Sequence, residues 1–218
     1  MNEIDSQKNA VKWLRIIYPV WAAIGMFSIM YVPSELIDIS NPALTASNIA
    51  ENEILFRLGI AGSLVTQLLV IAAVWFLYKL FYTNYKDATI LVAIFALVGV
   101  PIDMLSTANE LMVLDALDQP DQVVDLIKQS RKGTSIATIF WGLWLLPIGY
   151  MIIKSPLFPR LIGWLVILAG AAYTIMAFAS LLNIKGPIIS ALDYLTFGEL
   201  IWMLWVMILG ARWKALEH

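Results

Sequence analysis

The chain has no cysteine and one histidine, His218, the last of its 218 residues. Disulfides, thiolate nucleophiles and thiolate metal sites are therefore excluded. Histidine-based acid–base chemistry and zinc hydrolysis have no residues to work with, so neither a metal nor another cofactor is expected. Charge is scarce: Asp, Glu, Lys and Arg make up 14% of the residues and the net charge is −2. No basic stripe is present to neutralise phosphates, so no nucleic-acid partner is expected. Gly-rich phosphate loops and nucleophile elbows are also missing.

Apolar residues fill the space, at 61% of the chain. A soluble protein of this length cannot hide that much apolar surface, so lipid must cover part of it. A bilayer core about 30 Å thick takes roughly 20 helical residues to cross. Stretches 58–78, 133–153 and 161–184 reach that length without one Asp, Glu, Lys or Arg, and 16–34 nearly does. Stretches 88–114 and 192–211 are as apolar but carry acids. The expected fold is an all-α integral membrane bundle of six transmembrane helices in one domain, 1–215. The spans fall near 12–34, 53–82, 87–114, 133–154, 159–184 and 191–212. Residues 216–218 read as the remnant of a tag. Lys8, Lys12 and Arg15 precede the first run, which is too long for a signal peptide and is read as a retained span.

Alternating the breaks between two sides puts nine of the 14 basic residues with both termini. These are Lys8, Lys12, Arg15, Lys79, Lys86, Lys154, Arg160, Arg212 and Lys214. The positive-inside rule then makes both termini cytoplasmic. Trp13, Trp75, Tyr78, Tyr150, Trp164 and Trp213 fall near the cytoplasmic ends, where amphipathic rings anchor at the headgroups. Pro19 predicts a kink in the first span. Asn41-Pro42 predicts a helix start. Residues 120–130 alternate as an amphipathic helix, with Val123, Val124 and Ile127 on one side. They are read either as a short outer helix, lying on the surface or capping the bundle and able to gate access, or as a simple connector. The small residues of the fifth run signal close helix packing.

A carboxylate in hydrocarbon is costly and usually has a partner or a task. Counting 1.5 Å per residue, Glu199 lies about 12 Å inside the outer start of its run and Asp103 about 13 Å inside the outer end of its own. Such an acid must take up a proton or meet a cation. Arg57, one turn inside the second run, is the basic residue nearest that layer, and Trp141 and Tyr173 fall at similar depth. The expected ligand-binding set is Arg57, Asp103, Glu199, Trp141 and Tyr173, with the acids converging on Arg57. Glu53, one turn before Arg57, is placed to form an ion pair with it. Glu110 shares a helix face with Asp103, and Gln67 is a polar residue deep in the second run. These three form a secondary set.

Three motif blocks resemble a bacterial membrane family known as domain of unknown function 4386. The first is Thr45-Ala46-Ser47-Asn48-Ile49 followed by Leu55-Phe56-Arg57-Leu58-Gly59. The central block is Phe140-Trp141-Gly142, Gly149-Tyr150, Ser155, Pro159-Arg160, Leu161-Ile162-Gly163 and Gly170-Ala171-Ala172-Tyr173. The last is Glu199-Leu200 with Leu204-Trp205 and Gly210. Members often carry His where this chain has Trp144. The resemblance implies a multi-pass protein of the bacterial inner membrane and brings no activity with it. It puts Arg57, Tyr173 and Glu199 inside family-like motifs and leaves Asp103 outside them.

The functional expectation is binding or transport of a small amphiphile or lipid headgroup in an outward-facing intramembrane polar pocket, with membrane lipids as the other partners. A proton-coupled transporter using the buried carboxylates is the second class. A packing-only role for the Arg, Glu and Asp cluster is the third. An intramembrane enzyme with carboxylates as acid and base finds no supporting His or Cys.

Overall fold

A computed structural model describes residues 3–213; the expected tag remnant, 216–218, lies outside them. The described residues form helices and short connections, with no strand. Helix α1 (Glu3–Gly25) runs through a π-helical segment (Met26–Tyr31) into α2 (Val32–Leu36). Then come α3 (Pro42–Glu51), α4 (Glu53–Phe81), α5 (Lys86–Val113) and α6 (Pro120–Lys154). The last three are α7 (Arg160–Leu181), α8 (Pro187–Ala191) and α9 (Asp193–Ile208). Among the described residues, six stretches are long and apolar enough to cross a membrane: Glu3–Leu36, Glu53–Phe81, Lys86–Val113, Pro120–Lys154, Arg160–Leu181 and Pro187–Ile208. The protein is a multi-pass, all-α membrane protein. Helices satisfy their own backbone groups, which hydrocarbon cannot do for them. Large apolar side chains such as Met30, Ile54, Leu105, Leu161 and Ile188 stay exposed, as lipid-facing residues must.

The chain divides into two compact units. The first takes residues through Pro19, Ile71–Gly99 and the chain from Ile136 onward; the second takes Val20–Val70 and Val100–Ser135.

Helix α1 is continuous through Pro19, and in the second unit the backbone widens at Met26–Tyr31. The physical reason lies downstream. Pro33 has no N–H to offer one turn back, so the helix loosens ahead of it. Gly62 lets α4 come close here, because a Cβ there would strike Ser28. Asn41 caps α3 by accepting the Leu44 N–H at 3.1 Å, with Pro42 in the first turn. Residues 120–130 are not a separate surface helix. They open α6, which continues without a break into the fourth span. Val123, Leu126 and Ile127 pack against Val32, Leu36, Ile49, Phe56 and Val113 in a buried apolar cluster. Burial of that face holds the segment against the cluster.

In the first unit, α6 and α7 pack through paired glycines one heptad apart. A Cβ on Gly170 would meet the Gly142 carbonyl at 2.6 Å, and one on Gly163 the Gly149 carbonyl at 2.7 Å. The small-residue pattern of the fifth run is this contact. Gly198 does the same for α9 against the Leu165 carbonyl of α7. Gln7, buried, donates to the Leu80 carbonyl at 3.1 Å and so satisfies a group at the open end of α4. Trp13, Trp75, Tyr150 and Trp164 are exposed.

Candidate functional site

Asp103 occupies the third turn from the C-terminal end of α5, just past Pro101, and is 6% exposed. Its carboxylate accepts two hydrogen bonds within the second unit. Gln67 Nε2 of α4 donates to Oδ2 at 2.6 Å, and the Thr134 hydroxyl of α6 donates to Oδ1 at 2.7 Å. Asp103 thus ties three spans together. One turn on, the Thr107 hydroxyl donates to the Asp103 carbonyl at 3.0 Å. Two turns on, half-buried Glu110 accepts from the Ser130 hydroxyl of α6 at 2.8 Å. Ser130 and Thr134 are one turn apart on α6, and Asp103 and Glu110 two turns apart on α5. The result is a short ladder of carboxylates facing hydroxyls.

Both donors to Asp103 are uncharged. They satisfy lone pairs of the carboxylate, and among the described residues no cation forms an ion pair with it. Gln67 adds a second unmet demand: its Oε1 is buried and has no hydrogen-bond partner. Buried acceptors left open are rare.

Arg57 does not supply the missing charge to Asp103. Its Nε donates to Glu53 Oε1 at 2.6 Å, one turn away on α4. The side chains of Arg57 and Glu53 are 55% and 47% exposed. The expected Glu53–Arg57 pair forms. The expected convergence of Asp103 on the guanidinium does not, because the short i, i+4 partner satisfies Arg57 locally and its side chain stays at the surface.

The remaining sequence-derived residues lie in the first unit. Half-buried Glu199 of α9 lies beside Tyr173 of α7, with Thr196 close by. Beside them, Trp202 Nε1 donates to the Tyr18 hydroxyl at 3.2 Å, with both rings buried. The close approach of α9 to α7 at Gly198 sets Glu199 against Tyr173. Trp141 lies along α5, where its indole nitrogen would sit 3.2 Å from a Cβ on Gly99, and that nitrogen is buried with no hydrogen-bond partner.

The sequence reading did not pick out Thr134, Ser130, Thr107, Tyr18, Thr196 or Trp202. A signal existed for the first two. The start of the fourth span carries hydroxyls at Ser130, Thr134, Ser135 and Thr138, and those one turn apart share a face. Among the described residues, no group of three or more His, Asp or Glu is arranged to hold a metal ion.

A family model described as a domain of unknown function (DUF4386) matches residues 16–210. No curated protein and no solved structure matches the chain.

Proposed function

Starting from the fact that the chain belongs to the DUF4386 family, we propose that it binds, and moves within the membrane, a small amphiphile with a primary ammonium headgroup. One observation carries this reading: on α4 and α5, joined by the 2.6 Å bond from Gln67 Nε2 to Asp103 Oδ2, stand an uncompensated carboxylate and an unfilled buried acceptor, Gln67 Oε1. An ammonium supplies what both lack. Its charge balances the carboxylate, and one of its three N–H groups serves Gln67 Oε1. Thr134 holds the carboxylate in place, and an apolar tail suits the surrounding spans. We place the protein in the bacterial inner membrane with both termini cytoplasmic, on the basic residues gathered at the ends of its runs. Glu199 beside Tyr173 is a separate acidic position, examined on its own by Glu199→Gln.

The test is thermal unfolding of the purified protein in a neutral detergent with three twelve-carbon probes: dodecylammonium, dodecyltrimethylammonium and dodecanol. The ammonium should raise the midpoint most and the trimethylammonium, which has no N–H, less. Dodecanol should do little. Asp103→Asn should remove the preference, and Glu53→Gln should keep it. Equal effects of ammonium and alcohol on the wild type, or an unchanged preference in Asp103→Asn, would defeat the proposal.

A second reading is favoured by the Glu110–Ser130 contact. Asp103, Thr107 and Glu110 line one face of α5, with hydroxyls of α6 opposite. Such a row can pass protons, and the amphiphile would then be coupled to them. Proteoliposome uptake that follows an imposed pH gradient, and loses that response in Glu110→Gln, would support it. Uptake indifferent to the gradient would not.

A further inference from the structure

The first unit holds an open groove of about 450 Å³ where the start of α1 meets the end of α9. Lys8, Lys12 and Arg15 line it, at helical positions that share one side of α1, together with Val11, Gly210 and Trp213. Among the described residues, its lining contains three cations and no carboxylate.

The groove is built by the way α9 ends. Gly210 takes a positive φ of 66°, which turns the chain back over α1, and its N–H bonds the Trp205 and Val206 carbonyls. Arg15 reaches across to the last turn of α9, with Nε donating to the Met207 carbonyl at 3.0 Å and an Nη to the Ile208 carbonyl at 3.4 Å. The C-terminus of a helix carries partial negative charge and repels anions. The guanidinium cancels that charge, so the field left in the groove is set by Lys8 and Lys12. Lys8 lies 6.0 Å from the centre of the Trp213 ring. Trp13, exposed on the same turns of α1, stacks on Phe76 at 5.7 Å. Indoles at that level mark the membrane–water boundary, and the apolar run of the first span begins at once, at Ile16.

We propose that this groove binds the phosphate headgroup of an anionic phospholipid. A phosphodiester needs cations without competing carboxylates, placed at headgroup depth beside an apolar surface for its tails. Lys8, Lys12, the capped end of α9 and the exposed residues beyond Ile16 meet each requirement. Basic residues clustered next to a span attract anionic lipid electrostatically. The groove adds a defined seat to that attraction. The site is independent of the Asp103 cluster and takes a ligand of opposite charge.

Native mass spectrometry of the protein, purified with an equimolar mixture of phosphatidylglycerol and phosphatidylcholine, tests it. The wild type should retain phosphatidylglycerol in preference. Lys8→Gln and Lys12→Gln, both on exposed side chains, should each lower that retention about fivefold and leave phosphatidylcholine unchanged. Lys128→Gln with Lys132→Gln removes as much charge as the Lys8, Lys12 pair at another place and should retain the wild-type preference. Raised salt should weaken the preference in the wild type. The proposal is overturned by a wild type that does not discriminate, by an unaltered double Lys8, Lys12 variant, or by an equal loss in the Lys128, Lys132 control. It is also overturned if inorganic phosphate displaces the phosphatidylglycerol well beyond what sodium chloride of equal ionic strength does, which would make the ligand a soluble phosphate. Helix content by circular dichroism confirms that each variant is folded, and Gln matches Lys closely in helix propensity.

Discussion

The Thr134 hydroxyl donates to Asp103 Oδ1 across 2.7 Å and fastens α6 to α5 in the interior of the second unit. The bond satisfies an oxygen lone pair without cancelling a charge. That difference separates a carboxylate at rest in a packing role from one still able to attract a cation.

Thr134→Val keeps the shape of the side chain and removes the donor. The loss should lower stability by about 1–3 kcal/mol, since it leaves a buried acceptor short of a partner. Thermal unfolding in detergent measures it. If Asp103 binds an ammonium amphiphile, saturating dodecylammonium should recover part of the loss.

Ile127 is 2% exposed in the cluster that joins the start of α6 to α2, α3, α4 and α5. Ile127→Ala should cost about 2–5 kcal/mol, and amides of residues 123–127 should exchange slowly with deuterium. A freely moving outer gate would show fast exchange there and tolerate the substitution.

Gly170→Ala places a methyl 2.6 Å from the Gly142 carbonyl and 2.9 Å from Leu145 Cβ. Backbone cannot yield as a side-chain tip can, so α6 and α7 must part, at a cost of about 1–3 kcal/mol. Gly25→Ala is the matched control. Nothing lies within 4 Å of its added Cβ, and alanine in a helix should gain about 0.5–1 kcal/mol. Unfolding midpoints of the two variants should move in opposite directions.

Asp38 lies in the connection between α2 and α3, outside the spans. The Ser40 hydroxyl donates to its Oδ1 at 2.6 Å and the Ser40 N–H at 2.9 Å, and these bonds hold the carboxyl below its ordinary value of 3.8. A folded-state value below the unfolded one means the contribution is complete above the unfolded value. It is lost as pH falls through the folded value. Carbon-13 NMR of the Asp38 carboxyl should give a midpoint under 3.8, and Ser40→Ala should move that midpoint upward.

Arg57 shows how far a linear reading of depth carries. Its distance along α4 suggested a shared cation for the buried acids. Depth, however, is one coordinate, and the rotation of each helix about its axis is another. On α4, Gln67 faces Asp103 while Arg57 turns to Glu53 and the surface. Hydropathy does not encode that rotation for helices apolar all round, and α4 is such a helix. The seat of the 120–130 segment stayed open for a related reason. Its amphipathic pattern is real, but the same pattern suits a membrane surface and a protein interior, and only the presence of α2 and α3 above it decides between them.

Local chemistry was legible wherever the partners are neighbours in the chain. The Asn41 cap and the Glu53–Arg57 pair span three and four residues, so residue type and helical period suffice to specify them. The six spans were legible for a cruder reason: hydrocarbon admits only helices of a certain length, so apolar runs of that length admit one interpretation. Asp103 with Gln67 and Thr134, Glu110 with Ser130, and the basic groove closed by Gly210 join residues from 20 to about two hundred positions apart. Those contacts were decided by which helix faces meet. That choice rests on glycine-sized clearances and packed side chains summed over whole helices, a property of the fold that no single stretch of sequence contains.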